Sequence, residues 1–320
     1  NLRMNTFKWL LKREYWEHRG GFFWAPIVVG GIAVLFSVIA TVAGAILANE
    51  HRDKVNQLAS PAEAAEHAAQ LGGVGDAILT GGVGISLSVM AFVLFFYALG
   101  SLYDDRRDRS ILFWKSMPIT DAQMVLSKAA WALLLAPVLA VGIGLVIGVV
   151  LWIVMLVGAA VSGVPGSTDV ITHSHPFRVL ATVLAALPVQ MLWSLPTVGW
   201  LMFCSAWARR LPFLWATAVP VLTCAMISFT DIFPGIEIPH DNLWYTVAYR
   251  GLLSIAPGAW IPTIAQEPTG PFDGPKDIAG LVDITSSWAA FGHADIWIGA
   301  AIGALLIYAA VYFRRNRDEG

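Results

Sequence analysis

Long apolar runs without charge, separated by short polar segments, dominate this chain. Six of the runs reach the length of about 20 mostly apolar residues that a membrane-spanning helix needs, and their cores contain no Asp, Glu, Lys or Arg. They cover residues 22–48, 78–102, 129–161, 179–207, 212–229 and 296–313. The pattern predicts an all-α polytopic membrane protein with six transmembrane helices.

The segment 4–19, ahead of the first run, has the periodicity of a helix. Phe7, Leu10 and Leu11 share one of its faces, although Glu14 interrupts that face. Tryptophan and basic residues on the remaining surface suit the headgroup layer of a membrane. We therefore predict an N-terminal amphipathic helix at the interface. The apolar run that follows is too long for a cleavable signal peptide, so we expect a retained span.

A glycine-rich stretch, GGVGDAILTGGVG (72–84), leads into the second run. It lacks the Lys-Ser/Thr ending of a phosphate-binding loop and has no strand before it, so we interpret it as a flexible entry to the span. Upstream, Ser60, Pro61 and Glu63 have the spacing of a capping box. This spacing predicts a helix that begins at Pro61.

The insertion 231–295, before the last run, is far longer than an ordinary connection between helices. Its stretch 242–265 is apolar and aromatic, but Pro257 and Gly258 interrupt it. Irregular backbone at membrane depth must be shielded by protein. We therefore predict short, re-entrant-like helices on the outer side of the membrane rather than another span.

Composition agrees with a membrane protein. Hydrophobic residues make up 57% of the chain, and charged residues make up 13%, against about 25% in an ordinary soluble domain. Mean hydropathy is +0.66. The two cysteines, Cys204 and Cys224, lie inside apolar runs without a Cys or His neighbour, and we expect both to be buried thiols.

Basic residues are distributed unevenly between the two sides of the predicted membrane. If the N-terminus lies inside, the inner segments hold fifteen of the 20 Lys and Arg residues and the outer segments hold five. Positive charge is enriched on the cytoplasmic side of membrane proteins. We therefore expect both termini to be cytoplasmic, as an even number of spans requires.

The stretch SLYDDRRDRSILFWKSMPITDAQ (101–123), between the second and third runs, concentrates charge and large apolar residues outside any span. One interpretation is a solvated loop that obeys the positive-inside rule, which explains its arginines but not its aspartates. The other is a rigid knob that docks to another protein, since exposed apolar groups need a covering partner. Thr120 and Gln123 have capping-box spacing and predict that the next helix begins there.

The stretch LYDDRRDRSILFWKSMPIT resembles the cytoplasmic segment between spans two and three in permeases of the ABC-2 superfamily of ABC exporters. The N-terminal helix, the six spans and an insertion with SIAPGAW (254–260) extend the resemblance over most of the chain. The resemblance implies that 103–120 is a coupling segment that docks into a separate ATPase. The docking residues it implies are Asp104, Asp105, Arg106, Arg107, Asp108, Arg109, Phe113, Trp114 and Lys115.

The resemblance also implies a set of partners. Two copies of an ABC ATPase would bind underneath and hold ATP and magnesium, and a second permease chain would complete a homodimer. The chain, 1–320, would be a single transmembrane permease domain in a bacterial inner (cytoplasmic) membrane. No nucleic acid partner is expected.

No sequence motif indicates chemistry in this chain. There is no GxxxxGK[ST], HExxH or GxSxG, so we expect no catalytic residue and no cofactor here. His173 and His175, in THSH, supply two imidazoles without an assignable third ligand, and a metal site needs more. We interpret them as part of a polar loop.

Gln190, Ser194 and Thr197 are the polar residues of LPVQMLWSLPTVGW (187–200) in the fourth run. They fit either helix–helix hydrogen bonds or the lining of a transport path. The uncharged spans favour a hydrophobic or amphipathic cargo that moves outward. Two alternatives stay open: a mechanotransmission or toxin-sensing subunit without bulk transport, and an ion-coupled carrier, which usually buries charges along its path.

Overall fold

The structure, a computed structural model, describes residues 2–50, 61–108, 119–164, 166–230, 239–264 and 284–316. Regular structure within these ranges is helical throughout, which confirms the all-α prediction there. The helices are α1 (Leu2–Arg19), α2 (Ala25–Glu50), α3 (Pro61–Gly100), α4 (Tyr103–Arg107), α5 (Asp121–Ala130), α6 (Ala136–Val161), α7 (Asp169–Thr172), α8 (Pro176–Trp207), α9 (Val219–Phe229), α10 (His240–Trp244), α11 (Ile261–Ile264), α12 (Ile284–Ala289) and α13 (Ala294–Asn316). Segments with the wider turns of a π-helix connect or extend these helices. They are Gly20–Trp24, Trp131–Leu135, Leu214–Ala218 and Tyr245–Leu253.

Five helical stretches are long and apolar enough to cross a membrane. They are Thr6–Leu47, Glu66–Arg107, Asp121–Val161, Pro176–Trp207 and Ala294–Asn316. The sixth predicted span corresponds to the shorter apolar helix Leu214–Phe229. At 1.5 Å per residue its length is about 24 Å, less than the roughly 30 Å of a bilayer core.

The glycine-rich stretch 72–84 is not a flexible entry, and that prediction is wrong. Helix α3 runs through it without a break. A Cβ atom at Gly82 would collide with the backbone of Gly148 in α6, so the glycine permits close contact between these two helices. Helix α3 is described from Pro61 onward, and Ser60 of the predicted capping box lies outside the described residues.

A second close pair joins α8 to α13. A Cβ atom at Gly303 would meet the carbonyl of Leu195, and one at Gly199 would meet the backbone of Gly303. Small residues of this kind let transmembrane helices pack backbone to backbone. The pair places the last helix directly beside the fourth predicted span.

Helix α2 exposes most of its apolar side chains. Leu35, Phe36 and Ile46 are each more than half exposed. An apolar surface of this extent is unfavourable in water and suits contact with lipid or another chain.

Helix α1 continues into α2 through the π-helical turn 20–24. Leu10 and Glu14 are buried against the rest of the protein, whereas Trp9 and Trp16 are exposed. The apolar face predicted for this helix therefore contains a buried carboxylate.

Candidate functional site

The ends of α3, α8 and α13 meet the start of α5 and the body of α1 at one end of the bundle. Contacts among Glu14, Asp105, Asp121, Lys128 and Arg314 define this region, which we call the charged end.

The elbow after α3 is fixed to α8 by one hydroxyl group. Ser205 Oγ accepts hydrogen bonds from the backbone N–H groups of Leu102, at 3.0 Å, and Tyr103, at 2.9 Å. Ser205 is fully buried. Since an unpaired buried N–H is costly, these two bonds hold the elbow against the end of α8.

Arg106 strengthens the same contact. Its guanidinium donates to the carbonyl of Ser205 and, at 2.9 Å, to the carbonyl of Ala208. The final carbonyls of a helix lack partners within the helix and carry partial negative charge. Arg106 thus caps the C-terminal end of α8 and points into the protein.

Lys128 connects α5 with α1 and with the elbow. Its Nζ lies 3.0 Å from a Glu14 carboxylate oxygen and 3.8 Å from an Asp105 oxygen. Lys128 and Glu14 are almost completely buried. Tyr97 in α3 donates its hydroxyl to the other Glu14 oxygen at 2.8 Å. Glu14 is therefore held by a cation and by a hydrogen-bond donor.

Arg314 brings the last helix into this network. Its Nη1 lies 3.1 Å from Asp105, and its Nε lies 3.2 Å from Asp121 in the first turn of α5. Lys128 and Arg314 thus both face Asp105, and the network joins α1, the elbow, α5 and α13. Buried pairs of this kind are poor evidence for extra stability, but removal of one partner leaves an uncompensated charge.

Charges on the other face of the elbow are exposed. Arg107 lies 3.2 Å from Asp108 and 3.7 Å from Asp104, and all three side chains are more than half exposed. The predicted docking set is therefore divided. Asp104, Arg107 and Asp108 face outward, whereas Asp105 and Arg106 contact other parts of this chain.

The remaining members of that set, Arg109, Phe113, Trp114 and Lys115, lie outside the described residues. So does the short apolar segment predicted around them. The helix that follows begins as predicted. Thr120 accepts a hydrogen bond from the Gln123 N–H, and the Gln123 side chain accepts one from the Thr120 N–H.

Comparison of the chain with protein-family models, curated proteins and solved structures finds no match. The likeness to ABC-2 permeases therefore rests on the residues quoted from the sequence.

The three predicted path residues are all buried, but they have different partners. Ser194 donates to the Met191 carbonyl in its own helix at 3.2 Å. Thr197 donates to the Arg250 carbonyl at 3.4 Å. Only the Thr197 bond joins α8 to another segment, as the packing alternative requires, whereas the Ser194 bond stays within α8. Gln190 instead lines a cavity of about 340 Å³ between α3, α8 and residues 257–261.

Arg250, in the outer insertion, is a buried cation that the sequence analysis missed. Its guanidinium donates to the carbonyls of Trp193, at 3.2 Å, and Asp295, at 2.9 Å. It also lies 3.7 Å from the centroid of the Trp193 ring, a cation–π contact. The contacts fasten the insertion to the middle of α8.

No group of three potential metal ligands occurs among the described residues. His175 instead contacts Asp76 of α3, with its backbone N–H donating to the carboxylate at 2.6 Å. Cys204 and Cys224 are buried free thiols, as predicted.

A sequence signal for the charged end existed but was incomplete. Glu14 interrupts an apolar helix face, which hints at a buried carboxylate with a partner. Nothing local identifies Lys128 as that partner, because the two residues belong to segments that meet only in the folded chain.

Proposed function

We propose that the chain is the membrane-spanning permease subunit of an ATP-driven exporter that moves a hydrophobic or amphipathic cargo outward. The charged end is the cytoplasmic end, and the exposed face of the elbow docks to a separate ABC ATPase. The ATPase holds ATP and magnesium, and this chain performs no catalysis. A second copy of the chain completes the translocation path in a bacterial inner membrane.

The observation that carries the proposal is the division of the elbow into two faces. Asp104, Arg107 and Asp108 are available to a partner. Asp105 and Arg106, directly beside them, are bound to α5, α13 and α8. A force applied to the outer face therefore reaches several spans through buried contacts, as ATP-driven movement requires.

In this account, ATP closes the ATPase dimer and moves the two elbows of the homodimer together. The hydrogen bonds that the Leu102 and Tyr103 N–H groups donate to Ser205 make α8 follow the elbow. Arg314 makes α13 follow as well. The spans tilt, and the path opens outward.

The outer insertion supplies the gate in the same proposal. Residues 240–264 re-enter the outer half of the membrane as short helices, and Arg250 anchors them to α8. Helix Leu214–Phe229 completes the set of six spans with its flanking residues, and α1 lies at the inner interface, where Trp9 and Trp16 face the headgroups.

Charge reversal on the exposed face tests the proposal. The chain is co-expressed with a candidate ABC-type ATPase from the same genome, and the complex is purified in detergent. We expect Arg107→Glu to lower the retained ATPase at least about tenfold, since like charges across an interface cost several kcal/mol. Arg315→Glu makes the same charge change at an exposed site on the same end and should retain the ATPase.

Equal retention by the unaltered chain, Arg107→Glu and Arg315→Glu would show that the elbow is not the docking element. Failure of the unaltered chain to retain any ATPase would contradict the exporter assignment itself. ATP hydrolysis measured on the same samples reports whether docking is productive.

The mechanotransmission alternative shares this docking step and differs in its output. Reconstituted vesicles separate the two functions: an exporter accumulates a fluorescent amphiphile against its gradient when ATP is supplied, whereas a relay hydrolyses ATP without accumulation.

The buried charges Glu14, Asp105, Lys128 and Arg314 favour an ion-coupled carrier as a second candidate, since such carriers bury ionisable groups. In the described residues these charges lie at one end of the bundle and are paired with one another. Transport driven by a proton gradient in vesicles without ATPase would support this candidate and exclude the first.

A further inference from the structure

A groove of about 610 Å³ lies between the C-terminal part of α8, the helix Leu214–Phe229 and the segment Tyr245–Leu253. None of the described residues that line it is charged. Two of its polar side chains already have acceptors within the protein. Trp200 Nε1 donates to the Ala216 carbonyl at 2.9 Å, and the Thr223 hydroxyl donates to a carbonyl one turn earlier at 2.8 Å. The groove therefore suits an apolar ligand.

The groove opens along the side of the predicted spans. Trp215, Val219 and Thr223 line it, and all three are exposed. The lining on this helix extends from Trp215 to Ile227, which is about 18 Å at 1.5 Å per residue. This length is comparable with half of the roughly 30 Å hydrocarbon core of a bilayer. A lipid acyl chain from one leaflet therefore matches the groove in length and in polarity.

Two tryptophans mark one end of the groove. The rings of Trp207 and Trp215 pack edge to face, with their centroids 5.0 Å apart, and both line the groove. Trp207 is the last residue of the spanning stretch Pro176–Trp207. Tryptophan is enriched where spans meet the headgroup layer. This end of the groove therefore lies at the level of the lipid headgroups.

Two exposed cations follow directly at this end. Arg209 comes two residues after Trp207, so their Cα atoms are at most about 7.6 Å apart. Arg210 is its neighbour, and both side chains are exposed. Neither guanidinium has a hydrogen bond or ion pair among the described residues. Since a guanidinium binds phosphate oxygens in bidentate geometry, the pair is available to an anionic headgroup.

We propose that this groove binds one acyl chain of an anionic phospholipid, and that Arg209 and Arg210 bind the headgroup of the same lipid. A second copy of the chain is the competing occupant. In a symmetric contact centred on the groove, both copies would bring the same arginine pair to the interface, where like charges repel. The inference requires a chain that spans a membrane, but it does not rest on the export function.

Two lipids with identical acyl chains test the headgroup. The chain is purified in detergent without ATPase, and palmitoyl-oleoyl phosphatidylglycerol or palmitoyl-oleoyl phosphatidylcholine is titrated in and counted by native mass spectrometry. We expect the anionic phosphatidylglycerol to bind at least about fivefold more tightly than the zwitterionic phosphatidylcholine, because each arginine near an anionic headgroup adds to the attraction.

Variants locate the headgroup and the acyl chain separately. Arg209→Gln/Arg210→Gln should remove the preference for phosphatidylglycerol. Arg178→Gln/Arg315→Gln removes the same charge from two other exposed sites and should keep the preference.

Thr223→Trp should fill the groove and lower the binding of both lipids at least about fivefold, because Thr223 lines it. Leu222→Trp places the same ring on the adjacent residue, which is exposed but does not line the groove, and should bind both lipids like the unaltered chain.

Equal binding of the two lipids by the unaltered chain would overturn the proposal, and so would a preference that survives in Arg209→Gln/Arg210→Gln. Unchanged lipid binding in Thr223→Trp would show that no acyl chain occupies the groove. If that variant also loses a dimer seen for the unaltered chain, the occupant is the second copy. If Thr223→Trp does not fold, the lipid comparison and the arginine variants decide the outcome. Because no ATPase is present, failure here leaves the docking test of the export function unaffected.

Discussion

Two regions of the molecule bury cations, and each region neutralises them differently. At the charged end, Lys128 lies 3.0 Å from the carboxylate of Glu14. Beside the middle of α8, Arg250 donates to the backbone carbonyls of Trp193 and Asp295. The first region pairs a charge with an opposite charge, and the second surrounds a charge with dipoles and an aromatic ring.

The difference determines what each region can do. At the charged end, loss of one partner leaves a buried charge behind, so α1, the elbow, α5 and α13 keep their arrangement together or lose it together. Around Arg250, loss of the cation leaves the carbonyls of Trp193 and Asp295 and the hydroxyl of Ser254 without this donor. We infer that the charged end fixes the positions of whole spans, whereas Arg250 fastens one segment to α8.

The largest effect is expected from Lys128→Met. This change leaves Glu14 buried without its cation, so the free energy of unfolding should fall by about 3–5 kcal/mol. Denaturant unfolding in detergent micelles measures it. The double variant Glu14→Gln/Lys128→Met removes both charges and should recover much of the loss. Lys8→Met, at an exposed site, should change little. A Lys128→Met chain as stable as the Lys8→Met control would contradict the ionic account.

A smaller loss is expected from Arg250→Met. Its hydrogen bonds to carbonyl groups disappear, whereas the Asp295 carboxylate keeps the hydrogen bond from the Tyr245 hydroxyl at 2.9 Å. The cost should therefore be about 1.5–3 kcal/mol. Limited proteolysis should show faster cleavage within 245–261 and unchanged cleavage at the elbow. The exposed Arg178→Met is the matched control. An equal increase in the rate of cleavage at the elbow would mean that the charged end and the Arg250 region are not independent.

The smallest loss of stability is expected from Gly299→Ala. An added Cβ atom would collide with the Arg250 guanidinium, so the side chain must shift and its carbonyl contacts weaken. We expect a loss of about 1 kcal/mol, measured by the same unfolding experiment. Gly142→Ala makes the same gain in helix propensity, but its added atom meets open space, so it is the control for the collision. A Gly299→Ala chain indistinguishable from that control would mean that the Arg250 geometry tolerates displacement.

Local signals in the sequence predicted what is local in the structure. The capping box at Thr120 and Gln123 depends on neighbouring residues, and it is found. The expected flexibility of 72–84 was wrong, because glycine weakens a helix in isolation but here allows Gly82 to pack on Gly148.

Contacts between distant segments were beyond the sequence. Hydropathy identified the apolar runs but not which of them are neighbours in the fold. The sequence therefore did not show that Asp105, one of six consecutive charged residues, contacts Lys128 and Arg314. The sixth span was predicted from apolar length alone. The preceding helix ends at Trp207, and the left-handed backbone of Leu211, with φ of 50°, separates it from the shorter apolar helix Leu214–Phe229.

Hydrogen–deuterium exchange of the chain, with and without the co-expressed ABC-type ATPase, tests the central claim most directly. The account predicts that the amides of Leu102 and Tyr103, bound to Ser205, exchange slowly in the free chain. The ATPase should then add protection at 103–108 and leave the Arg250 region unchanged. Fast exchange at the elbow in the free chain, or protection by the ATPase only at other segments, would contradict it.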